Sequence, residues 1–181
     1  MLLVVDSSED TRSSGFRQEK DFLSLLIRNL TNGDNKFALI TFGKSINFQF
    51  NFDTYGTADE LLSNLPYIWY SNGKGDPGQA LDYAITHGLN SSHGDRAAVP
   101  DVIVFLMHGA VANSALATEL REKLNKNSVE LFVITIGGSQ DGGAIGRIAS
   151  HPSFLVHASN FAELQTLPQN ISDAICKGNC F

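Results

Sequence analysis

The sequence predicts an α/β fold in which a doubly wound, mostly parallel central sheet has helices on both faces. Two observations support this prediction. Short apolar runs alternate along the chain with longer stretches of helical periodicity, as in repeated strand–helix units. The runs at residues 2–5 and 102–107 are apolar throughout, which is typical of strands buried on both faces. Residues 46–52 instead alternate apolar and amide side chains, which indicates one antiparallel edge strand with a solvent-exposed face.

Local signals predict the other elements in order. A helix is expected at residues 57–65, because Thr57 can act as its N-cap and Glu60 completes a capping box. The other predicted helices cover residues 16–30, 79–89, 113–125, 144–149 and 161–176. The other predicted strands cover residues 37–42, 131–136 and 154–156. Because strands alternate with helices, right-handed crossovers should place helices on both faces of the sheet.

Composition limits the function classes. The chain of 181 residues fits one domain, residues 1–181, and its apolar content of 43% is ordinary for a globular protein. The net charge is −6 and no Lys/Arg cluster occurs, which argues against nucleic acid and anionic membranes as partners. No apolar run approaches the roughly 20 residues that cross a bilayer. Because the chain starts inside its first strand, we expect a module excised from a larger multidomain protein.

Glycosylation sequons and two late cysteines point to the secretory route. The three sequons begin at Asn29, Asn90 and Asn170. Cys176 and Cys180 are the only cysteines, and they could form a small disulfide or pair outside this chain. Their spacing fits neither a redox motif nor a zinc framework. We therefore expect a secreted glycoprotein.

A cluster of oxygen-bearing side chains follows the first strand. Asp6, Ser8 and Asp10 occupy alternate positions where the apolar run ends. Carboxylates and hydroxyls are the ligands that hard cations such as Mg²⁺, Ca²⁺ or Mn²⁺ prefer. The most apolar strand, residues 102–107, also ends on a polar side chain, that of His108. Since α/β sheets bind ligands at the carboxyl ends of their strands, we expect these side chains to share one crevice.

With these elements in this order, the chain resembles a von Willebrand factor type A domain. The resemblance covers nearly the whole chain. It depends on the Leu-Val-Val-Asp-Ser-Ser motif at residues 3–8, the strand and hairpin at 37–45, the glycine-rich loop at 72–81, the strands at 102–109 and 129–137, and the closing helix. The resemblance implies the doubly wound fold with one antiparallel edge strand. It also implies an extracellular adhesion or matrix module, as in collagens, matrilins and integrins, which as a rule is not an enzyme.

The family's metal-ion-dependent adhesion site is only partly matched. The family pattern is Asp-x-Ser-x-Ser after the first strand, a threonine from the glycine-rich loop and an aspartate after the central strand. Asp6 and Ser8 match this pattern, whereas Asp10 stands at the position of the second serine. Asp6 and Asp10 together could still attract a divalent cation.

The other two family positions lose their usual ligands. Gly75 falls at the threonine position, with Asp76 beside it, and His108 replaces the aspartate. Glycine offers no side-chain oxygen, and an imidazole suits Zn²⁺ better than Mg²⁺. A degenerate site at Asp6, Ser8, Asp10, Asp76 and His108 is therefore expected. Both cation binding, by Mg²⁺, Ca²⁺, Mn²⁺ or Zn²⁺, and a structural remnant without metal stay open.

The expected function is a matrix or adhesion module that binds another protein, for example a collagen, through the strand-end face. Two alternatives stay open, namely a flavodoxin-like domain for a small molecule or nucleotide and a purely structural spacer. Asp6 and Asp10 disfavour a phosphate in the crevice unless a cation intervenes. An aromatic run that includes Tyr67, Trp69 and Tyr70 precedes the glycine-rich loop, and it is expected to pack in the core rather than anchor a partner.

Overall fold

A six-stranded sheet forms the centre of the protein in the computed structural model, which describes residues 1–31, 34–108, 113–138 and 143–179, with side chains up to residue 176. The strands, in chain order, are β1 (Leu2–Asp6), β2 (Ala38–Phe42), β3 (Ile46–Phe50), β4 (Asp101–His108), β5 (Val129–Ile136) and β6 (Leu155–Ala158). Their spatial order is β3-β2-β1-β4-β5-β6. Only β3 is antiparallel to its neighbour. The predicted fold class is therefore confirmed.

Helices pack on both faces of this sheet. The described α-helices, in chain order, are α1 (Arg12–Leu30), α2 (Ala58–Asn64), α3 (Pro77–Tyr83), α4 (Ser114–Lys126), α5 (Gly143–Gly146), α6 (Phe161–Leu164) and α7 (Pro168–Asn179). A π-helical turn, Ala84–Gly88, continues α3. The capping box predicted for α2 is formed, because the Thr57 hydroxyl accepts from the Glu60 amide and the Glu60 carboxylate accepts from the Thr57 amide.

Strand β1 separates two hydrophobic cores. Leu3 and Val5 pack with α1, α2, α6 and α7 on one face, whereas Leu2 and Val4 pack with α3, α4 and α5 on the other. All four side chains are at most 1% exposed. Their alternation follows from the two-residue repeat of a strand, and burial on both faces explains why the run contains no polar residue. The end of β1 is therefore a fixed platform for the loop that follows.

The closing helix differs from its prediction. The sequence pattern suggests one helix at residues 161–176, but α6 ends at Leu164 and α7 begins at Pro168. Proline has no backbone N–H and disfavours helical geometry in the residue before it. Pro168 therefore begins a second helix and cannot lie inside one.

The edge strand is more covered than the alternating pattern predicts. Four of the five residues of β3 are half-buried. The Phe48 ring stacks on that of His93, with centroids 4.4 Å apart, and the Gln49 amide donates to the Thr41 hydroxyl at 2.7 Å. Side chains from outside the strand therefore shield both of its faces in part.

None of the helices in the described part of the chain is both long and apolar enough to cross a bilayer.

Candidate functional site

Asp6 lies at the centre of the strand-end rim, which we define as the surface at the carboxyl ends of β1 and β4. It is the last residue of β1 and is 3% exposed. The Ser8 amide donates to Asp6 Oδ1 at 2.8 Å, and the His108 amide donates to Asp6 Oδ2 at 3.3 Å. Because β1 and β4 are paired neighbours, the structure brings Asp6, Ser8 and His108 together, although 102 positions separate Asp6 from His108.

The electrostatics of Asp6 reflect burial opposed by hydrogen bonding. Burial raises the pKa of Asp6 above its ordinary value. Hydrogen bonds from the Ser8 hydroxyl and from the Ser8 and His108 amides act in the opposite direction, because they favour the charged form. Protein donors therefore already occupy much of the acceptor capacity of this carboxylate.

The glycine-rich loop is held against the Asp6 loop by backbone hydrogen bonds. The Asn72 amide donates to the Ser7 carbonyl at 2.9 Å, and the Glu9 amide donates to the Gly73 carbonyl at 2.8 Å. The Ser7 and Ser71 hydroxyls lie 2.7 Å apart. These contacts join the two loops into one wall of the rim.

Gly75 lies directly over Ser8. A Cβ atom at Gly75 would be 3.1 Å from Ser8 Cβ and 3.1 Å from the Phe42 ring. The loop therefore packs tightly over Ser8, and glycine offers no side-chain ligand there.

The remaining predicted site residues have different surroundings. Asp76 is exposed and caps α3, since its two oxygens accept from the Gln79 amide and side chain, both at 3.0 Å. Asp10 is exposed on the loop after β1. The His108 ring lies beside that of Phe161, with centroids 5.8 Å apart.

The donor set does not fit the family's complete cation site. Asp6 and Ser8 are in place, but Gly75 brings no oxygen and the carboxylate of Asp76 is used as a helix cap. Across the described residues, no three His, Cys, Asp or Glu side chains are grouped so that they could hold a metal ion. The degenerate character of the site stays a prediction.

Sequence reasoning missed a buried carboxyl on α1. Glu19 is 0% exposed, and neither of its carboxyl oxygens has a hydrogen-bond partner among the described residues. Burial raises the pKa of Glu19 well above its ordinary value, and the neighbouring charge of Asp6 raises it further. A signal was available, because Phe16, Glu19 and Leu23 follow the i, i+3, i+7 spacing of a buried helix face.

The expected core packing of the aromatic run is wrong for two of its members. Tyr67 is 82% exposed and Trp69 is 62% exposed. Ile68, which lies between these two residues in sequence, and Tyr70, which follows them, are partly buried and pack against the core. An extended backbone at Ile68 places alternate side chains on opposite sides, so that only one side of the segment is covered.

The predicted modification sites have different surroundings. Asn90 and Asn170 are exposed, whereas Asn29 is half-buried in the last turns of α1. Cys176 is half-buried in α7, and Cys180 lies outside the described residues. Glycosylation and the disulfide stay predictions.

Comparison with known proteins agrees with this architecture. The family model for the von Willebrand factor type A domain matches residues 1–170. Matrilin-1 from Mus musculus is 27% identical over 97% of this chain and 36% of its own length. The collagen alpha-4(VI) chain from Mus musculus is 25% identical over 97% of this chain and 8% of its own length. The chain thus spans about a third of the matrilin it matches.

A solved structure has the same fold. The structure of proximal thread matrix protein 1 from the mussel byssus superposes on this chain with a TM-score of 0.83. In that structure the metal-ion-dependent adhesion site (MIDAS) motif is occupied by zinc. That comparison covers 97% of this chain and 47% of the mussel chain at 19% identity, so it shows the fold alone. Because the family model matches residues 1–170 of the 181 in this chain, the chain belongs to the von Willebrand factor type A domain family.

Proposed function

We propose that this protein is a non-enzymatic interaction module of the extracellular matrix, which binds another protein through the strand-end rim without needing a metal ion. Relatives named as a matrilin and a collagen chain, and a mussel byssus matrix protein with the same fold, support a secreted matrix module. The proposal that binding needs no metal ion depends on the environment of Asp6. Its two carboxylate oxygens accept hydrogen bonds from the Ser8 and His108 amides.

The rim suits binding because two of its described loops are fixed to each other. Backbone hydrogen bonds join the Asp6 loop to the glycine-rich loop, and Asp6 joins β1 to β4. A surface that is ordered before binding loses little conformational entropy when the partner arrives. A protein of the matrix is therefore the proposed partner, and a collagen is the first candidate to test.

The test is capture of partners from a matrix extract by the immobilised protein, with Mg²⁺ or with a chelator. We expect the same partner under both conditions, because no cation is required. Lys74→Trp adds bulk to the exposed glycine-rich loop and should reduce capture. Lys126→Trp, on the exposed end of α4, is the matched control.

Three results would contradict the proposal. Capture that disappears with chelator, together with tight Mg²⁺, Mn²⁺ or Zn²⁺ binding by calorimetry, would show that the rim depends on a cation. Equal loss with Lys74→Trp and Lys126→Trp would remove the rim as the binding surface. No capture under any condition would favour a structural spacer.

A further inference from the structure

The three glycosylation sequons differ in how the folded chain presents them. Asn90 and Ser92, the acceptor and the hydroxyl residue of one sequon, are both exposed. In a second sequon, Asn29 is half-buried in α1. In the third, Ser172 is buried in α7, and its hydroxyl donates to the Gln169 carbonyl at 2.8 Å. Since the sequon is read at both its asparagine and its hydroxyl residue, the Asn90 sequon is the most accessible of the three in the folded protein.

The local backbone also favours modification at Asn90. Asn90 is extended, with φ −143° and ψ 140°, whereas Asn29 and Asn170 lie inside helices. Its Oδ1 accepts from the Ser92 amide at 2.9 Å, which forms an Asx-turn. This turn uses the amide oxygen and leaves the donor nitrogen Nδ2, the atom that bonds to a sugar, on the exposed side chain.

The Asn90 turn is fixed to the end of the edge strand. The His93 and Asp95 amides both donate to the Asn90 carbonyl, at 2.8 and 3.3 Å. The Phe52 amide, which follows β3, donates to the His93 carbonyl at 2.9 Å. Such a turn holds the Cα atoms of Asn90 and His93 less than about 7 Å apart. A sugar on Asn90 would therefore start from a defined position beside His93.

Three half-buried rings adjoin this turn, and we call them the aromatic patch: Phe48, Tyr83 and His93. The His93 ring stacks on that of Phe48, with centroids 4.4 Å apart. The Phe48 ring meets that of Tyr83 edge to face, with centroids 6.2 Å apart. Phe48 and Tyr83 pack against the core that lies under α3, α4 and α5. Because the three rings are only half-buried, the rest of the patch is apolar surface in contact with solvent.

We infer that an N-linked glycan is attached at Asn90, in preference to Asn29 and Asn170, and that its first sugar packs on the aromatic patch; this inference rests on the secretory route of the proposed function. The C–H bonds on one face of a pyranose ring are slightly positive, which matches the negative face of an aromatic ring. The covalent link to Asn90 makes the contact intramolecular, so the sugar is always near the patch.

The modification consumes a lipid-pyrophosphate-linked oligosaccharide, which the secretory route supplies. Asn90 Nδ2 forms a bond to C1 of the first sugar, while the bond from C1 to the pyrophosphate oxygen breaks. The lipid pyrophosphate leaves with the electron pair of the broken bond. Nδ2 loses one proton, and no group is oxidised or reduced.

The occupancy of each sequon can be measured by glycopeptide mass spectrometry on the chain secreted from cultured animal cells. We expect most molecules to carry a glycan at Asn90 and few to carry one at Asn29 or Asn170. Ser92→Ala keeps the Asx-turn, which uses only its backbone amide, and should abolish modification of Asn90. Ser91→Ala, at the exposed middle position of the sequon, is the matched control and should leave it intact. No glycan at Asn90, or equal occupancy at Asn29 or Asn170, would overturn the inference.

Thermal unfolding tests the contact with the aromatic patch. The secreted wild-type protein should melt about 2–4 °C above secreted Ser92→Ala, as expected if the sugar contributes about as much as an aromatic pair. The same two proteins made in bacteria, without the glycan, should melt together.

Ring variants locate this stabilisation. Phe48→Leu keeps an apolar side chain on β3 but removes the ring, and His93→Ala changes the patch without altering the strand. In each background the glycan-dependent difference in melting temperature should fall to about half or less of its original value. Trp69→Leu, at an exposed ring whose neighbours pack against the other core, should preserve the difference. An undiminished difference in both Phe48→Leu and His93→Ala would overturn the packing.

Capture from the matrix extract distinguishes this inference from the proposed function. Because β3 is antiparallel to β2, its end beside the Asn90 turn lies away from the strand-end rim, so Ser92→Ala should capture the same partner. If the secreted protein captures its partner but carries no glycan at Asn90, the inference is wrong and the interaction function stands. If Asn90 is glycosylated but nothing is captured, the glycan site stands and the matrix function is wrong.

Discussion

Two buried carboxyl groups, those of Asp6 and Glu19, differ in their hydrogen-bond partners, although the charge of Asp6 acts on Glu19. Asp6, at the end of β1, accepts hydrogen bonds from the Ser8 and His108 amides. Glu19, inside α1, accepts none from the part of the chain that the structure describes. Burial is the largest cause of the raised pKa in both, but only for Asp6 do hydrogen bonds oppose it. A strand end leaves backbone amides free to donate, whereas amides inside a helix are already used by the helix.

Removing the paired carboxyl should have the largest effect on stability. Asp6→Ala leaves the Ser8 and His108 amides without their acceptor, and each buried orphan group costs about 1–3 kcal/mol. We expect the free energy of unfolding to fall by about 2–4 kcal/mol, measured by urea denaturation at pH 7. Asp10→Ala, at an exposed neighbour, should change it by less than about 0.5 kcal/mol. Similar losses in both variants would remove the distinction between the two positions.

Removing the carboxyl of Glu19 should instead increase the free energy of unfolding. Glu19→Leu replaces a buried group without partners by an apolar side chain on a helix face that already packs with Phe16, Phe22 and Leu23. We expect the free energy of unfolding to rise by about 1–3 kcal/mol in the same measurement. Glu122→Leu, on the exposed face of α4, is the control for helix propensity. A destabilised Glu19→Leu protein would mean that the carboxyl makes a favourable contact.

The free energy of unfolding should also depend on pH, because the pKa values of Glu19 and Asp6 are both raised in the folded protein. This effect should be smaller than those of the substitutions. Glu19 has a pKa well above its ordinary value of 4.5 when folded, so the folded protein holds its proton over a range where the unfolded chain has lost it. Stability should therefore fall as pH rises from about 4.5 through the folded pKa, by at most about 1.4 kcal/mol per pH unit for this proton. Asp6, whose pKa is also raised, contributes with the same sign from about 3.8 upward.

The Glu19→Gln variant separates the contribution of Glu19 from that of Asp6 to the change of stability with pH. Glutamine does not titrate, so urea denaturation between pH 4 and pH 8 should show a flatter profile in the variant than in the wild type, whatever its absolute stability. Parallel profiles would show that Glu19 loses its proton at the same pH in the folded and unfolded chains.

The strand-end rim was only partly predictable. Asp6, Ser8 and His108 could be placed together because apolar runs ended on them and parallel strands share an edge. The exposure of Tyr67 and Trp69 could not be predicted, because the sequence of an aromatic run does not indicate which of its side chains are buried. That side was decided by contacts from Lys20 and Ser8, which are distant in sequence from the segment they hold.

The sequence by itself determined most of the strands and helices and the antiparallel edge, because periodicity, capping and turn residues act over a few neighbouring positions. The resemblance of its motifs to known ones indicated the family. Pro168 also carried the signal for the break in the closing helix, although the apolar spacing around it hid that signal. Only the tertiary structure decided that Asp6 would receive the His108 amide as a second donor, and that Glu19 would receive no donor from the described residues. That difference depends on which backbone lies beside each carboxyl after the strands pair, and for Asp6 the decisive amide lies 102 positions away.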